Sequence, residues 1–506
     1  MKLAPAHDDG ARLAALLAAG GVRARAERRE VLVSLTRRSP AVDPLVVLEY
    51  LVREAAADDR LAEHAAAGRM YWTRADDGFA LAGFGAVATF TPTGPDRFSA
   101  VDRAWATLLG GALTDDASGG ASAFGPLLMG GFAFDPEGPR TETWRGFPIA
   151  HLIVPRLQIV RAEGDCWVTI SAIVGSDGEP DVPAGELATL CRGVLAASAP
   201  RSEAAATIDQ RAPGLVFSFP VSASAWQGVV ESGLAAISAG ELQKVVFARE
   251  LRAKAPRDVN VFATLRHLRA VHRECFVFGY WRDERAFGGA SPERLVRLVG
   301  RQVRASSLAG SAKRGATPEE DAALAASLMG SAKDWAEHAA VRDALRDGLA
   351  EVCDDVTGAD VPSLLTLRHL HHLHTPIDAT LRRGRSLLDV VARLHPTPAV
   401  GGTPRDGALR FIRDHERLDR GWYAAPIGWV GRRGGEFAVG LRSAVISGST
   451  ASLYAGCGIV ADSVPELELA ESQLKLRSMQ AALAAALTEL PSSGAAAVVL
   501  PAERAS

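Results

Sequence analysis

Lysine is scarce in this chain. Of its 56 basic residues only six are lysine, and arginine supplies almost every other positive charge. The six are Lys2, Lys244, Lys254, Lys313, Lys333 and Lys475. Lysine, unlike arginine, can lose its proton when it is buried, so each one is a candidate base as well as a candidate surface charge.

Paired cysteines, long apolar runs and blocks of one charge are also missing. The five cysteines form no CxxC motif, which argues against a disulfide framework and a thiolate zinc site. Apolar stretches end well before the roughly 20 residues that cross a bilayer, and residues 1–30 lack the apolar core of a signal peptide. The net charge of -3 mixes both signs, so neither nucleic acid nor a membrane is an expected partner. We therefore expect a soluble, cytoplasmic protein.

The residue pattern divides the chain into four segments. Residues 1–66, rich in alanine and leucine, are predicted to form a helical amino-terminal extension, and residues 67–215 a strand-rich variable half. Within that half, residues 151–160 are predicted to be one strand. Residues 216–490, the expected catalytic region, are predicted to alternate between strands and helices whose ends are marked by glycine, proline and capping residues. Residues 491–506 are predicted to be a disordered tail. No internal repeat and no glycine-rich phosphate loop is present.

Two pairs of carboxylates have the spacing of a single helix face. Asp334 and Glu337 are three residues apart, and Glu468 and Glu471 repeat this spacing on the last predicted helix, with Lys475 one turn further on. Four carboxylates on two helices would suit Mg²⁺, which prefers oxygen ligands. The spacing alone also fits two solvated helix faces, one of them with an ion pair from Glu471 to Lys475.

A glutamate and a group of histidines are further candidates. Glu293 lies between a proline and an apolar run, where burial would raise its pKa and fit it to act as a general acid, although a surface glutamate in a turn has the same pattern. The histidines suggest zinc, but no third ligand type has a sensible spacing, so hydrogen bonding in a polar site is the better interpretation. They are His369, His371, His372 and His374.

Eight segments resemble, in the same order, the motifs of the chorismate-utilising enzymes. Residues 242–249 are similar to the isochorismate synthase strand that carries a catalytic lysine, and residues 290–295 resemble the family's SPE motif. The other segments are residues 308–311, 333–338, 394–402, 420–428 and 456–461, and the final helix with Glu468, Glu471 and Lys475. Together they cover about residues 220–485, whereas residues 1–215 contain no matching motif.

The resemblance implies both a fold and an activity. The fold would be α+β, with two stacked, largely antiparallel β-sheets and helices packed outside them. The activity would be that of an isochorismate synthase, an isomerase that converts chorismate to isochorismate for menaquinone or siderophore biosynthesis. No glutaminase subunit is expected, and the chain is expected to be a monomer.

The resemblance also implies a set of site residues. Glu337 and Glu471 would bind Mg²⁺ directly, with Asp334 and Glu468 acting through water. Lys244 would be the base that activates water, and Glu293 the acid that protonates the leaving hydroxyl. Substrate-binding positions would be Gly310, Ser311, His372, Ala399, Tyr423, Arg442, Gly456, Gly458 and Lys475.

Two positions separate this chain from relatives with other products. Anthranilate synthases have glutamine at the position of Lys244, since ammonia needs no comparable base. Enzymes that eliminate pyruvate or use ammonia usually have threonine where this chain has Ala399. These differences favour isochorismate as the released product. A salicylate synthase and a non-catalytic chorismate-binding relative are the alternatives, and the intact set of acids together with Lys244 argues against the second.

Overall fold

Two large β-sheets form the centre of the molecule. The computed structural model describes residues 7–119, 124–187, 190, 194, 214–367 and 370–488. Within these residues one sheet, here called the larger sheet, has 13 strands and the other, the smaller sheet, has 10. The predicted tail at residues 491–506 lies outside the described residues.

The amino-terminal part alternates helices with strands of both sheets. Its helices are α1 (His7–Glu27), α2 (Pro44–Glu54), α3 (Asp59–Ala67) and α4 (Arg97–Gly110). Its strands are β1 (Val31–Ser39), β2 (Arg69–Arg74), β3 (Phe79–Phe84), β4 (Ala88–Phe90), β5 (Leu113–Asp116), β6 (Leu128–Phe132), β7 (Ala150–Val154), β8 (Leu157–Ala162) and β9 (Asp165–Val174).

The carboxyl-terminal part contributes the remaining elements. Its helices are α5 (Ala223–Ser238), α6 (Val261–Val271), α7 (Pro318–Gly330), α8 (Ala332–Ala350), α9 (Leu387–Leu394), α10 (Arg405–His415) and α11 (Pro465–Thr488). Its strands are β10 (Val216–Ser218), β11 (Lys244–Lys254), β12 (Phe276–Arg282), β13 (Arg285–Ser291), β14 (Arg294–Val299), β15 (Gln302–Lys313), β16 (Cys353–Gly358), β17 (Ser363–Thr366), β18 (Leu370–Leu381), β19 (Gly402–Thr403), β20 (Pro426–Val430), β21 (Gly434–Val439), β22 (Ser443–Ser447) and β23 (Thr450–Ile459).

Two predictions about the amino-terminal part were wrong. The segment 1–66 is not helical throughout, because β1 forms within it and pairs along its whole length with β9. The first six residues of β1 are buried, so no alternation distinguishes this strand from a buried helix in the sequence. The predicted strand at residues 151–160 is two strands: β7 belongs to the smaller sheet and β8 to the larger one, with Pro155 and Arg156 between them.

The strand pairing is largely antiparallel, as predicted. The larger sheet runs in the order β10-β11-β23-β22-β13-β12-β2-β3-β8-β9-β1-β5, with β19 beside β11. The smaller sheet runs β16-β18-β15-β14-β21-β20-β6-β7-β4, with β17 beside β18. Among the pairings within the described ranges, only β1 with β5 is parallel. Both sheets therefore combine strands from the two halves of the chain.

Aromatic side chains fill the space between the sheets, and helices cover the outer faces. The Trp422 ring lies 5.1 Å from Tyr280 and 6.5 Å from Phe287, both of the larger sheet. A Cβ on Gly131 would lie 2.7 Å from the same indole, so this close packing requires glycine. Helices α1, α2, α6 and α11 contact the larger sheet, whereas α7, α8 and α9 contact the smaller one. None of the helices in the described part of the chain has the length and apolarity needed to cross a membrane.

Candidate active site

All fifteen residues predicted to form the site line one cavity of about 350 Å³. Strands near the same end of both sheets contribute to it. Lys244 comes from β11 and Gly456 and Gly458 from β23 in the larger sheet, while Ser311 and His372 come from β15 and β18 in the smaller sheet. The structure thus brings together side chains that are far apart in the sequence.

The amine of Lys244 is held at the first position of its strand. The residue is only 5% exposed, and its Nζ donates a 2.7 Å hydrogen bond to Oε1 of Glu337. The neighbouring strand makes room for this side chain at Gly458, where a Cβ would lie 2.7 Å from Lys244 Cε and 3.4 Å from Glu337 Oε1. Glycine at this position is therefore needed for the observed path of the lysine.

Glu293 follows β13 and is 6% exposed. Its main chain is fixed at both ends, because its N–H donates to Ser291 Oγ and its carbonyl accepts from the N–H of Val439. Burial raises the pKa of its carboxyl to about 7, against the opposing charges of Lys244 and Lys475. A carboxyl with this pKa holds a proton in a substantial fraction of molecules near neutral pH, as a general acid requires.

The four predicted metal-binding carboxylates come from α8 and α11. The Ser331 hydroxyl caps α8 by accepting from the N–H of Asp334, one turn before Glu337. Burial raises the pKa of Glu337, but the charge and hydrogen bond of Lys244 outweigh this effect and lower it overall. Burial and the neighbouring charge of Glu471 raise the pKa of Glu468, which indicates an excess of negative charge at this end of the cavity.

The start of α11 shapes this acidic end. The helix begins at Pro465, and the hydroxyl of Ser463, two residues earlier, donates a 2.8 Å hydrogen bond to Glu468 Oε1. The ligand atoms of Glu468, Glu471 and Cys457 all lie within 4.8 Å of one another. Burial raises the pKa of the Cys457 thiol well above its ordinary value, so the anionic donors here are carboxylate oxygens.

Lys475 links α11 to the strand that borders the cavity. Its Nζ lies 2.7 Å from Glu471 Oε1 and donates 2.9 Å to the carbonyl oxygen of Gly456. Burial is the largest single influence on the pKa of this amine and lowers it, but the charge and hydrogen bond of Glu471, together with Cys457 and Tyr423, raise the pKa overall. The ion pair considered in the sequence alternative therefore exists, but within the cavity and not on a solvated helix face.

A short hydrogen-bonded chain also lines the cavity. Ser311 Oγ lies 2.9 Å from His372 Nδ1, and Arg442 Nη2 lies 3.5 Å from His372 Nε2. Burial, aided by the charge of Arg442, lowers the pKa of His372 to about 3, so this imidazole is neutral. Gly310 has a φ of +77°, and a Cβ there would lie 3.1 Å from Asp334 Cβ, so glycine allows α8 to approach β15.

The other described histidines of the group do not join a zinc site with His372. His371 Nε2 lies 2.9 Å from Asp321 Oδ1, and its Nδ1 lies 2.9 Å from the hydroxyl of Thr366. His374 belongs to the same strand and does not line the cavity. His369 lies outside the described residues. The hydrogen-bonding interpretation of the histidines agrees with these contacts.

One buried ion pair was missed by the sequence analysis. Arg420 donates to both carboxylate oxygens of Glu416 and to the carbonyl oxygens of Val246 and Val400. Glu416 in turn accepts a 2.7 Å hydrogen bond from the N–H of Ala248. The ion pair joins the cavity-facing part of β11 to the loop that carries Ala399. In the sequence, the only signal for it was the position of Arg420 in a matched motif.

Comparison with known proteins identifies the family of the chain. Residues 16–484 match a family described as chorismate binding enzyme. The chain belongs to the chorismate binding enzyme family. Within this family it is 35% identical over 477 residues to the salicylate biosynthesis isochorismate synthase of Pseudomonas aeruginosa, covering 93% of this chain and 94% of that protein. It is 31% identical over 466 residues to the isochorismate synthase MenF of Bacillus subtilis, covering 91% and 95%.

Solved structures of chorismate binding enzymes share the fold. The menaquinone-specific isochorismate synthase MenF of Escherichia coli superposes with a TM-score of 0.70 at 26% identity, covering 93% of this chain and 99% of that one. Anthranilate synthase component I of Streptococcus pneumoniae superposes with a TM-score of 0.65 at 21% identity, which shows the fold alone. The predicted α+β fold of two antiparallel sheets is thereby confirmed.

Proposed function

We propose that this protein is an isochorismate synthase, which converts chorismate to isochorismate. The observation that carries the proposal is one cavity in which a buried lysine and a buried carboxyl with raised pKa lie beside two acidic helices. Two relatives with this activity in their names each align over more than nine-tenths of their length.

The reaction needs a base and an acid on the two sides of a ring. Water adds at C2, the ring double bonds shift, and the C4 hydroxyl leaves. Lys244 takes the proton from the attacking water, and Glu293 gives its proton to the departing hydroxyl. Each such proton transfer contributes typically about 10²–10⁴ in rate. The hydroxyl is a poor leaving group and must be protonated as it departs. With a pKa near 7, Glu293 still carries a proton at neutral pH in a substantial fraction of molecules, which suits it to this role.

The donor set of the cavity suits a magnesium ion. Carboxylate oxygens from two helices are the hard ligands that Mg²⁺ prefers. The pKa of Glu468, raised by burial and by the charge of Glu471, supports a cation site at this place. We assign Glu337 and Glu471 as direct ligands and Asp334 and Glu468 as ligands through water. The bound ion would supply positive charge for the ring carboxylate of chorismate.

The carboxylates of both assigned direct ligands are in contact with lysine amines. Lys244 donates to Glu337 and Lys475 contacts Glu471. For Lys244 to act as a base its amine must be neutral. A Glu337 carboxylate that held Mg²⁺ would attract the protonated amine less strongly.

The remaining assigned residues bind and orient the substrate. Arg442 and the backbone at Gly456 and Gly458 would hold the enolpyruvyl carboxylate, with Tyr423 beside them. The neutral His372, fixed by Ser311, would contact the C4 hydroxyl.

The product distinguishes this function from that of a salicylate synthase. Purified protein is incubated with chorismate and millimolar Mg²⁺, and the products are separated by chromatography and identified by mass spectrometry. Isochorismate without pyruvate is the expected result, and salicylate together with pyruvate would overturn it. A matched control is Lys254→Gln, which alters an exposed lysine at the far end of the same strand and should leave the product unchanged.

A further inference from the structure

A second cavity, of about 180 Å³, lies beside β11 away from the candidate active site. It is bordered by the segment that follows β10, by the start of α5 and by the loop after α10, and none of the assigned catalytic, metal or substrate-binding residues lines it. Tyr454 borders both cavities, and its ring stacks on Tyr423 at 5.3 Å. The second cavity is thus separate from the active site but adjacent to it.

The cation that marks this cavity is Arg249. The residue is 4% exposed, and its guanidinium lies 4.3 Å from the ring centre of Phe219 and 5.3 Å from that of Trp226. Its Nη1 donates 3.0 Å to the hydroxyl of Ser472. In the part of the chain that the structure describes, no carboxylate lies within ion-pair distance of Arg249, although an unpaired buried charge is costly.

The other buried charges around the cavity have polar partners. Arg252 at the rim is paired with Glu250, and Glu416 is paired with Arg420 behind the cavity. Asp419 accepts hydrogen bonds from the N–H and the hydroxyl of Thr141 and from the N–H of Gly421. Among the buried charged side chains that line the cavity, Arg249 therefore has the fewest polar partners, which favours an anionic ligand.

The size and the other side chains of the cavity narrow the class of ligand. Trp226, whose ring lies beside the guanidinium, and Val221, Val229 and Tyr454 contribute apolar surface to the lining of the same cavity. An apolar cavity of about 150 Å³ accommodates benzene, so this slightly larger one has room for a six-membered ring with one small substituent. We propose that the cavity binds a small aromatic carboxylate, with the carboxylate on Arg249 and the ring against Trp226.

The proposal is tested with 4-fluorobenzoate as the probe, whose binding to the full-length protein is measured by ¹⁹F NMR. Wild-type protein should bind one equivalent at this cavity. Arg249→Gln should weaken binding at least about 10-fold, as expected for the loss of a charge-assisted contact. Arg252→Gln is the matched control, because this exposed arginine already has a carboxylate partner, and it should leave affinity within twofold of wild type.

Two further variants keep the test decisive. Val221→Trp narrows the cavity without touching the guanidinium, so it should also abolish binding even if Arg249→Gln fails to fold. Arg442→Gln alters only the candidate active site and should leave affinity unchanged. Binding that survives both Arg249→Gln and Val221→Trp, or that is lost in Arg442→Gln, would overturn the proposal. Equal affinity for inorganic phosphate would overturn the assignment of an aromatic ligand.

Discussion

The position of the Lys244 amine can be tested by adding one methyl group on the neighbouring strand. In Gly458→Ala the new Cβ would lie 2.7 Å from Lys244 Cε, whereas ordinary contacts begin near 3.4 Å. The lysine side chain must therefore move by at least about 0.7 Å, and its 2.7 Å bond to Glu337 must lengthen or break. The contacted atom belongs to a flexible side chain and not to the backbone, so the fold should accommodate the change.

The expected effect is on turnover and not on stability. A misplacement of about 1 Å can reduce the rate about 100-fold, so we expect kcat to fall by about 10- to 100-fold, or about 1.4–2.7 kcal/mol of transition-state stabilisation. Steady-state kinetics with chorismate and a thermal melt separate the two effects. The control is Gly228→Ala on α5, where nothing lies within 4 Å of the new Cβ and activity should be unchanged. Wild-type kcat in Gly458→Ala would refute the assigned role of Lys244.

Three further predictions concern the acids and the buried ion pair. Glu293→Gln should stop turnover, and the wild-type rate should fall as pH rises through about 7, where the acid loses its proton. Because folding raises this pKa from 4.5 to about 7, the stability that this carboxyl contributes to the wild type should be lost as pH rises from about 4.5 to about 7, whereas Glu293→Gln should show no such loss in pH-dependent melts. Glu471→Gln should weaken Mg²⁺ binding at least about 10-fold by calorimetry, as loss of a carboxylate ligand implies, whereas Glu466→Gln, an exposed acid of the same helix, should not. Arg420→Gln leaves Glu416 buried without its partner and should destabilise the protein by about 3–5 kcal/mol in urea unfolding. An unchanged urea midpoint would contradict the stabilising role of this buried ion pair.

The helix ends of the carboxyl-terminal part can be recognised from local sequence signals. The cap at Ser331, the proline at the start of α7 and the glycine after α5 lie within a few residues of the observed helix ends. Strand β1 was missed because burial on both faces removes the alternation that identifies a strand. The break between β7 and β8 falls at Pro155, a local signal for the end of a strand that the prediction of one strand overlooked. Which sheet each of the two strands joins is not encoded in the local pattern.

The site shows the same division between local and tertiary information. The motifs identified the residues that line the cavity, but not the residues with which they form hydrogen bonds there. The hydrogen bond from Lys244 to Glu337 joins residues 93 positions apart, and its existence depends on how α8 packs on β15 and faces β11. The unpaired charge of Arg249 is likewise a property of its surroundings, since nothing in its neighbouring residues distinguishes it from the many other arginines.

The origin of the oxygen at C2 tests the central claim most directly. Chorismate is converted by the wild-type protein with Mg²⁺ in water enriched in ¹⁸O, and isochorismate is analysed by mass spectrometry. Addition of water activated by Lys244 predicts one ¹⁸O atom in the new C2 hydroxyl of the product. Unlabelled isochorismate would mean that the hydroxyl moves within the substrate, and it would contradict the proposed roles of both Lys244 and Glu293.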